Sequence, residues 1–293
     1  MNKISALSNV IKFSRIGSGL KSKFALFNLA LINHLNRNSR QTVIELSAGL
    51  LARCADPSGL ICIELNLPTG KIRSTVRAGN FGDYYSAYEC LSGAMYPLPL
   101  KPVQYVIDAG ANIGFFTIYA VGNLGVSVLA IEPAPGNKDM LSNNIAELPH
   151  VEIVSVALAA AEGIATFELA AANTGHIDRF NTGNDSGQTC EVKTVRLPSL
   201  IPENWDPNSI WLKMDIEGAE YEVLRDLLQA GIKPVLISAE LHDYYHSDGE
   251  TFIRELREAG YTVTIEGLGE NACCQMFASL DTDAKGKAHA VSH

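Results

Sequence analysis

The spacing of apolar and polar residues changes twice along the chain. Residues 1–20 carry serines and glycines among scattered apolar positions and predict a loose helix or a frayed start. Over 21–35 and 42–54 apolar residues return at three- and four-residue intervals, the period of a helix with one covered face. Two short alternating runs follow, 61–67 and 71–77, joined at Pro68-Thr69-Gly70, and predict a hairpin. A helix is expected over 83–92. Pro97, Pro99 and Pro102 then break the chain.

From residue 105 onward, continuous apolar runs alternate with helical patterns. Strands are expected at 105–107, 126–131, 151–158, 164–169, 191–197, 209–214, 235–240, 261–266 and 273–278. Helices are expected from 115, over 135–148, over 219–230 and over 249–259. Strands buried on both faces, with helices between them, indicate an α/β fold with a parallel sheet. The last two strands are separated by too short a loop for a parallel crossover and should pair antiparallel. Residues 170–190, rich in Asn, Thr, Gly and Asp, read as a long loop able to serve as a lid, with His176, Asp178 and Arg179 on it. The expected organisation is a basic helical extension (1–60), a hairpin and helix (61–104), the α/β domain (105–280) and a polar tail (281–293).

Composition narrows the class. Hydrophobic residues make up 47% of the 293, enough for a sizeable core and too many for a disordered chain. The six cysteines, at 54, 62, 90, 190, 273 and 274, have no CxxC spacing, which fits a reducing compartment and a cytoplasmic protein. Net charge is −9, yet residues 1–40 hold seven Lys and Arg and no acid. A basic leader on an acidic body has two readings: a helix that caps the domain, or one that meets a membrane surface or a partner. Its longest apolar run, 24–32, is interrupted by Asn28 and is too short to span a bilayer. No secretory cleavage pattern follows it. The acidic body argues against nucleic acid as a substrate.

The stretch with most chemical content is VIDAGANIGFFT, 106–117. A strand runs into Asp108, then a turn with Gly110, Asn112 and Gly114, then a helix. Glycines in such a turn permit unusual φ and close approach of the backbone to a ligand. The spacing is DxGxxxG rather than the GxGxxG of dinucleotide sites, and an acid at the strand end repels a pyrophosphate. It attracts a ligand with a cationic amine and a sulfonium, which points to S-adenosylmethionine. Glu132 ends the next strand, where a carboxylate can accept both hydroxyls of a ribose. Ala157, small and at the end of the third strand, leaves room for an adenine.

VIDAGANIGFFT, AIEPAPGNKDMLSNNI, VSVALAAAEG and WLKMDIEGAE together resemble the FkbM-type S-adenosylmethionine-dependent methyltransferases, over roughly residues 77–270. The segment Lys213 to Glu220 is the most specific piece. VRAGNFGDYYSAYE is similar to the family's Arg–Gly–Asp entry segment, with Arg77 and Asp83 as the matching positions. One departure is Leu197-Pro198, where the family has Leu-Asp. The resemblance implies a seven-stranded Rossmann-like class I sheet, order 3-2-1-4-5-7-6, and O-methylation of a hydroxyl on a sugar, polyketide or similar metabolite.

A hydroxyl needs a base or a metal to take its proton as the methyl arrives. The candidates follow the fourth and fifth strands of that sheet: Asp215, Glu217 and Glu220, then Glu240, His242 and Asp243. His242 is the first choice as base because an imidazole titrates near neutrality. Glu220 can also be read as a helix-start acid. Asp215, Glu217, Glu240 and His242 could alternatively hold one Mg²⁺ or Mn²⁺. Tyr244, Tyr245 and His246 are candidates for an acceptor pocket. The reading is thus a methyltransferase using S-adenosylmethionine on a small-molecule or glycan acceptor, with a homodimer contact open to the extension. Its rivals are a nicotinamide-dependent oxidoreductase and a non-catalytic binding module.

Overall fold

The computed structural model describes residues 3–36, 41–170, 175–177, 185–244, 248–267 and 273–280. By contacts the chain forms two compact units. One is Met1–Leu98 with Ala111–Gly125 and Pro135–Val151; the other is Pro99–Gly110 with Val126–Ala134 and Glu152–His293.

The first unit begins with α1 (Lys3–Ser14), α2 (Gly19–Asn36) and α3 (Gln41–Ala52). Residues 3–14 therefore form a regular helix, where the sequence suggested a loose one. The hairpin β1 (Leu60–Leu67) and β2 (Gly70–Arg77) pairs antiparallel in register from Leu60↔Arg77 to Leu67↔Gly70. Next come α4 (Phe81–Leu91), α5 (Phe115–Leu124) and α6 (Pro135–Asn144), with β3 (Tyr105–Ala109) and β4 (Ser127–Ile131) of the second unit interleaved in sequence. Asn80 caps α4 by accepting the Asp83 N–H. α2 buries Leu26, Leu29, Ala30 and Ile32, and Ser22 Oγ accepts the Glu64 N–H of β1 at 2.9 Å.

The second unit contains the main sheet. Its remaining strands are β5 (Val151–Val154), β10 (Ile210–Met214), β11 (Leu236–Leu241), β12 (Tyr261–Glu266) and β13 (Cys274–Leu280); between these lie β6 (Ala157–Leu158), β7 (Gly163–Ala170), β8 (Gly175–Ile177) and β9 (Asp185–Val195). The seven-stranded order is β12-β13-β11-β10-β3-β4-β5. Numbered within the sheet this reads 3-2-1-4-5-7-6 from the β5 edge. β3 pairs parallel with β4 and β10, β10 pairs parallel with β11, and β13 is antiparallel to both β11 and β12. One face carries Ile107, Ala109, Leu129, Ile131, Leu212, Met214, Ile237 and Ala239. It is covered by Tyr221, Val223, Leu224 and Leu227 of α7 (Glu220–Gln229) and by Phe252, Ile253 and Leu256 of α8 (Gly249–Glu258). The alternate positions Val106, Asp108, Trp211, Lys213 and Ser238 are also buried, so these strands read as apolar runs broken by a few polar residues.

A second, four-stranded sheet in the order β6-β9-β7-β8 was not expected from the pattern. The run 151–158 is two strands in two sheets, and β9 starts at Asp185 inside the stretch read as a loop. β7 and β9 form a long antiparallel ladder, Gly163↔Thr194 to Leu169↔Gln188. The polar composition of 170–190 hid a strand whose partner is supplied by β7. Asp178 and Arg179 lie outside the described residues; His176 pairs with Glu168 through the backbone of β8.

Candidate active site

The carboxyl ends of β3, β10 and β11 gather most of the candidates in the second unit. Parallel register sets Lys213 beside Asp108 and Met214 beside Ala109. The Asp215 N–H then donates to the Ala109 carbonyl at 3.1 Å, which holds the two strand ends together.

Asp108 is buried, and its Oδ1 lies 3.4 Å from the buried Lys213 Nζ. That ammonium also donates to the Gly110 carbonyl at 2.7 Å and to the Ala109 carbonyl at 3.3 Å. Two consequences correct the sequence reading. The Asp108 charge is matched within the protein, so it does not by itself select a cationic ligand. And Lys213, quoted there only as part of a motif, is the residue that fixes the start of the glycine turn. Gly110 has φ +77°, and a Cβ there would come within 1.7 Å of the Asp215 carbonyl oxygen. The close approach that demands glycine is therefore to the neighbouring strand's backbone rather than to a ligand.

Glu132 is buried at the end of β4, with Oε1 accepting the Ala134 N–H at 2.9 Å. Ala157 is buried with Ala134, Ala159, Phe167 and Val192.

The other expected cofactor residues belong to the first unit. Gly114, at φ +94°, begins α5, and a Cβ there would meet Leu141 of α6 at 2.8 Å. Asn112 also has positive φ, +50°. Asn144, quoted in the sequence reading only inside AIEPAPGNKDMLSNNI, donates to the Ile113 and Thr75 carbonyls and accepts the Thr75 N–H and hydroxyl. Arg77 and Asp83 bind each other: the Arg77 backbone N–H and Nε donate to Asp83 Oδ2 at 2.8 and 2.9 Å, and Nη2 donates to Oδ1 at 2.5 Å and to Asn137 Oδ1 at 3.0 Å. Such a bidentate pair with a buried acid ties β2 to α4.

The chemical centre of the second unit is His242, just beyond β11. Its Nδ1 faces Glu220 Oε1 at 3.1 Å and its Nε2 faces Glu217 Oε2 at 3.3 Å. Glu220 is fully buried and also accepts the N–H groups of Ile216 and Gly218. It is thus the anchor of the imidazole as well as a helix-start acid. The turn that presents Glu217 is strained, since Glu217 itself has φ +58° and Gly218 φ +119°. Glu240 Oε1 accepts the Cys273 thiol at 3.1 Å.

The electrostatics bear on the choice of His242 as the base. Burial opposes charge on His242, but the Glu220 hydrogen bond and the charges of Glu220, Asp215 and Glu217 push its pKa up to about 10. These charges favour the cation, which has no vacant lone pair for a proton. Glu217 moves the other way. Burial and then the charge of Asp215 push it up to about 7, against the pull of His242. Glu240 is raised by burial and by Asp215. Burial resists ionisation of Glu220 too, yet the His242 contact and the Gly218 N–H outweigh it and hold Glu220 below the ordinary value.

Among the described residues, ligand-type atoms of Asp215, Glu220 and His242 lie within 4.8 Å of one another, as do those of Glu240, His242 and Cys273. Both triads use His242, whose nitrogens already face two carboxylates. A metal ion would have to displace one of them. Tyr244 is buried in the core under Gly249 rather than presented to a pocket; Tyr245 and His246 lie outside the described residues.

A parallel sheet in this order, with an antiparallel final strand and its acidic residues at the carboxyl edge, defines a class I methyltransferase fold. The chain belongs to the methyltransferase FkbM domain family, whose profile matches residues 108–263. It is similar to 31-O-demethyl-FK506 methyltransferase FkbM of Streptomyces tacrolimicus, 29% identical over 236 residues that cover 69% of this chain and 90% of that protein. It is also similar to hexuronic acid methyltransferase AglP of Haloferax volcanii, 29% identical over 138 residues, 46% of this chain and 54% of that protein. Among solved structures, P. horikoshii TYW2 in complex with MeSAdo aligns at TM-score 0.41 and 14% identity, covering 83% of this chain and 82% of that one. The METTL16 MTase domain aligns at TM-score 0.41 and 13% identity, covering 96% and 92%.

Proposed function

We propose that this methyltransferase moves the methyl group of S-adenosylmethionine onto a hydroxyl of a sugar, glycan or small metabolite. The observation that carries the reading is the Glu217–His242–Glu220 cluster, which sets a carboxylate titrating near neutrality at the strand ends where the class binds its ligands. The likeness to a 31-O-demethyl-FK506 methyltransferase and to a hexuronic acid methyltransferase favours an oxygen acceptor.

The donor set of the second unit fits the cofactor. Glu132 offers a buried carboxylate at the end of β4 for a ribose diol, and Lys213 donates to the Gly110 carbonyl at the start of the turn. Bound S-adenosylmethionine supplies an electrophilic methyl group. An acceptor hydroxyl would have to be held in line with that carbon, and such positioning supplies a large part of the rate. With the cofactor bound, transfer would form the O–C bond as the S–C bond breaks and release S-adenosylhomocysteine, and Glu217 would take the hydroxyl proton and later return it to water. His242 stays protonated, keeps Glu217 ionised at the moment of need, and is itself held by Glu220. In this account Glu217 replaces His242 as the base, and His242, Asp215 and Glu240 set the local charge.

The test is mass spectrometry of glycans and hydroxylated metabolites incubated with the protein and methyl-labelled S-adenosylmethionine. Label recovered on an oxygen supports the reading. Label only on nitrogen or carbon, or none with any hydroxyl acceptor, contradicts it.

A further inference from the structure

α2 is anchored along one side and apolar along the other. Ala25, Leu26, Leu29, Ala30 and Ile32 are fully buried, and Asn28 and Asn33 are buried with them. Leu20, Phe24, Phe27 and Leu31 are spaced four, three and four apart and share the other side. Leu20 is 88% exposed and Phe24 43%, while Phe27 and Leu31 are half-buried. On α1, Ile11 is 40% exposed.

The charged residues of α1 and α2 are all basic. Lys12, Arg15, Lys21 and Lys23 are all exposed, and no acid occurs in residues 1–40 of a chain whose net charge is −9. Asp56, which feels the charge of Lys21, is the nearby counter-charge contributed by a later loop. An ordinary water-facing helix would not place Leu and Phe on its outer side between lysines. A lipid interface takes both, the apolar chains among the acyl carbons and the ammonium groups at anionic headgroups.

We infer that the α1–α2 surface bearing Ile11, Leu20 and Phe24 with Lys12, Arg15, Lys21 and Lys23 docks on an anionic lipid membrane. The helices lie on the membrane rather than across it, since no described helix is long and apolar enough to span one. The inference rests on the leader's surface and not on the identity of the acceptor, and it stands or falls apart from the methyl-transfer reading.

The experiment is co-flotation of the full-length protein with vesicles of phosphatidylcholine alone or containing about one-third phosphatidylserine. Binding to the anionic vesicles is expected and should weaken as salt is raised. Each basic residue near such a surface contributes about fivefold to partitioning, so Lys12→Glu with Lys23→Glu should lower it at least ~25-fold. Leu20→Ser with Phe24→Ser should abolish stable binding while circular dichroism and melting temperature stay unchanged, because both side chains face outward. No flotation, equal flotation with neutral vesicles, or flotation unaffected by either pair of substitutions would overturn the inference. So would a concentration-dependent dimer that the Leu20 and Phe24 substitutions dissolve, since the surface would then be covered by a second copy.

Discussion

An imidazole between two carboxylates, as His242 lies between Glu217 and Glu220, keeps its proton far above its ordinary pKa. The folded protein holds at about pH 10 a proton that the unfolded chain releases at 6.5. The stability this contributes is full below 6.5 and is lost as pH rises through about 10. Melting temperature should therefore fall between pH 7 and pH 10, and His242→Gln should be less stable at pH 7 and show a flatter dependence across the window. A steep fall that persists in the variant would place the titrating group elsewhere. Glu217 gives a kinetic counterpart. Its carboxylate form grows as pH passes about 7, so kcat/KM should rise through that region. Glu217→Gln should lower kcat by at least ~100-fold, the usual size of a general-base effect, and remove the rise. A variant that keeps the limb would return the base role to another group.

At the level of elements, the decisive feature is how tightly β3 and β10 approach where both leave the sheet. A methyl group at position 110 would need the space of the Asp215 carbonyl oxygen, on a backbone already at positive φ. Gly110→Ala should lose several kcal/mol, combining about 1–2 kcal/mol of conformational strain with a backbone clash that no rotamer relieves. Urea denaturation measures it; a loss below ~1 kcal/mol would mean that the strands separate easily. The alternation of apolar runs made β3, β4, β10 and β11 legible in sequence, because a strand buried on both faces has little choice of composition. Glycines and acids at their ends were legible for the same reason. What no local pattern could give was the pairing of Lys213 with Asp108 and of Glu220 with His242. Both depend on register between segments distant in the chain. Composition misled where polar residues filled a strand, as in β9, and it gave no warning that Arg77 and Asp83 would be bound to each other.

For the molecule, charge is segregated between a basic start and an acidic remainder, and the candidate chemistry lies in the acidic second unit. The family fixes methyl transfer as the activity, while the cofactor and the acceptor oxygen are what we propose for the site. The claim on which the rest depends is that the unit holding Gly110, Glu132 and Lys213 takes an adenosyl sulfur compound. Isothermal titration of the full chain with S-adenosylhomocysteine tests this most directly, with NADH titrated in parallel. The account predicts saturable binding of about one molecule per chain, none for NADH, and at least ~10-fold weaker binding in Glu132→Gln, where the ribose loses a charge-assisted partner. Absence of S-adenosylhomocysteine binding by folded protein, or preferential binding of NADH, would contradict it.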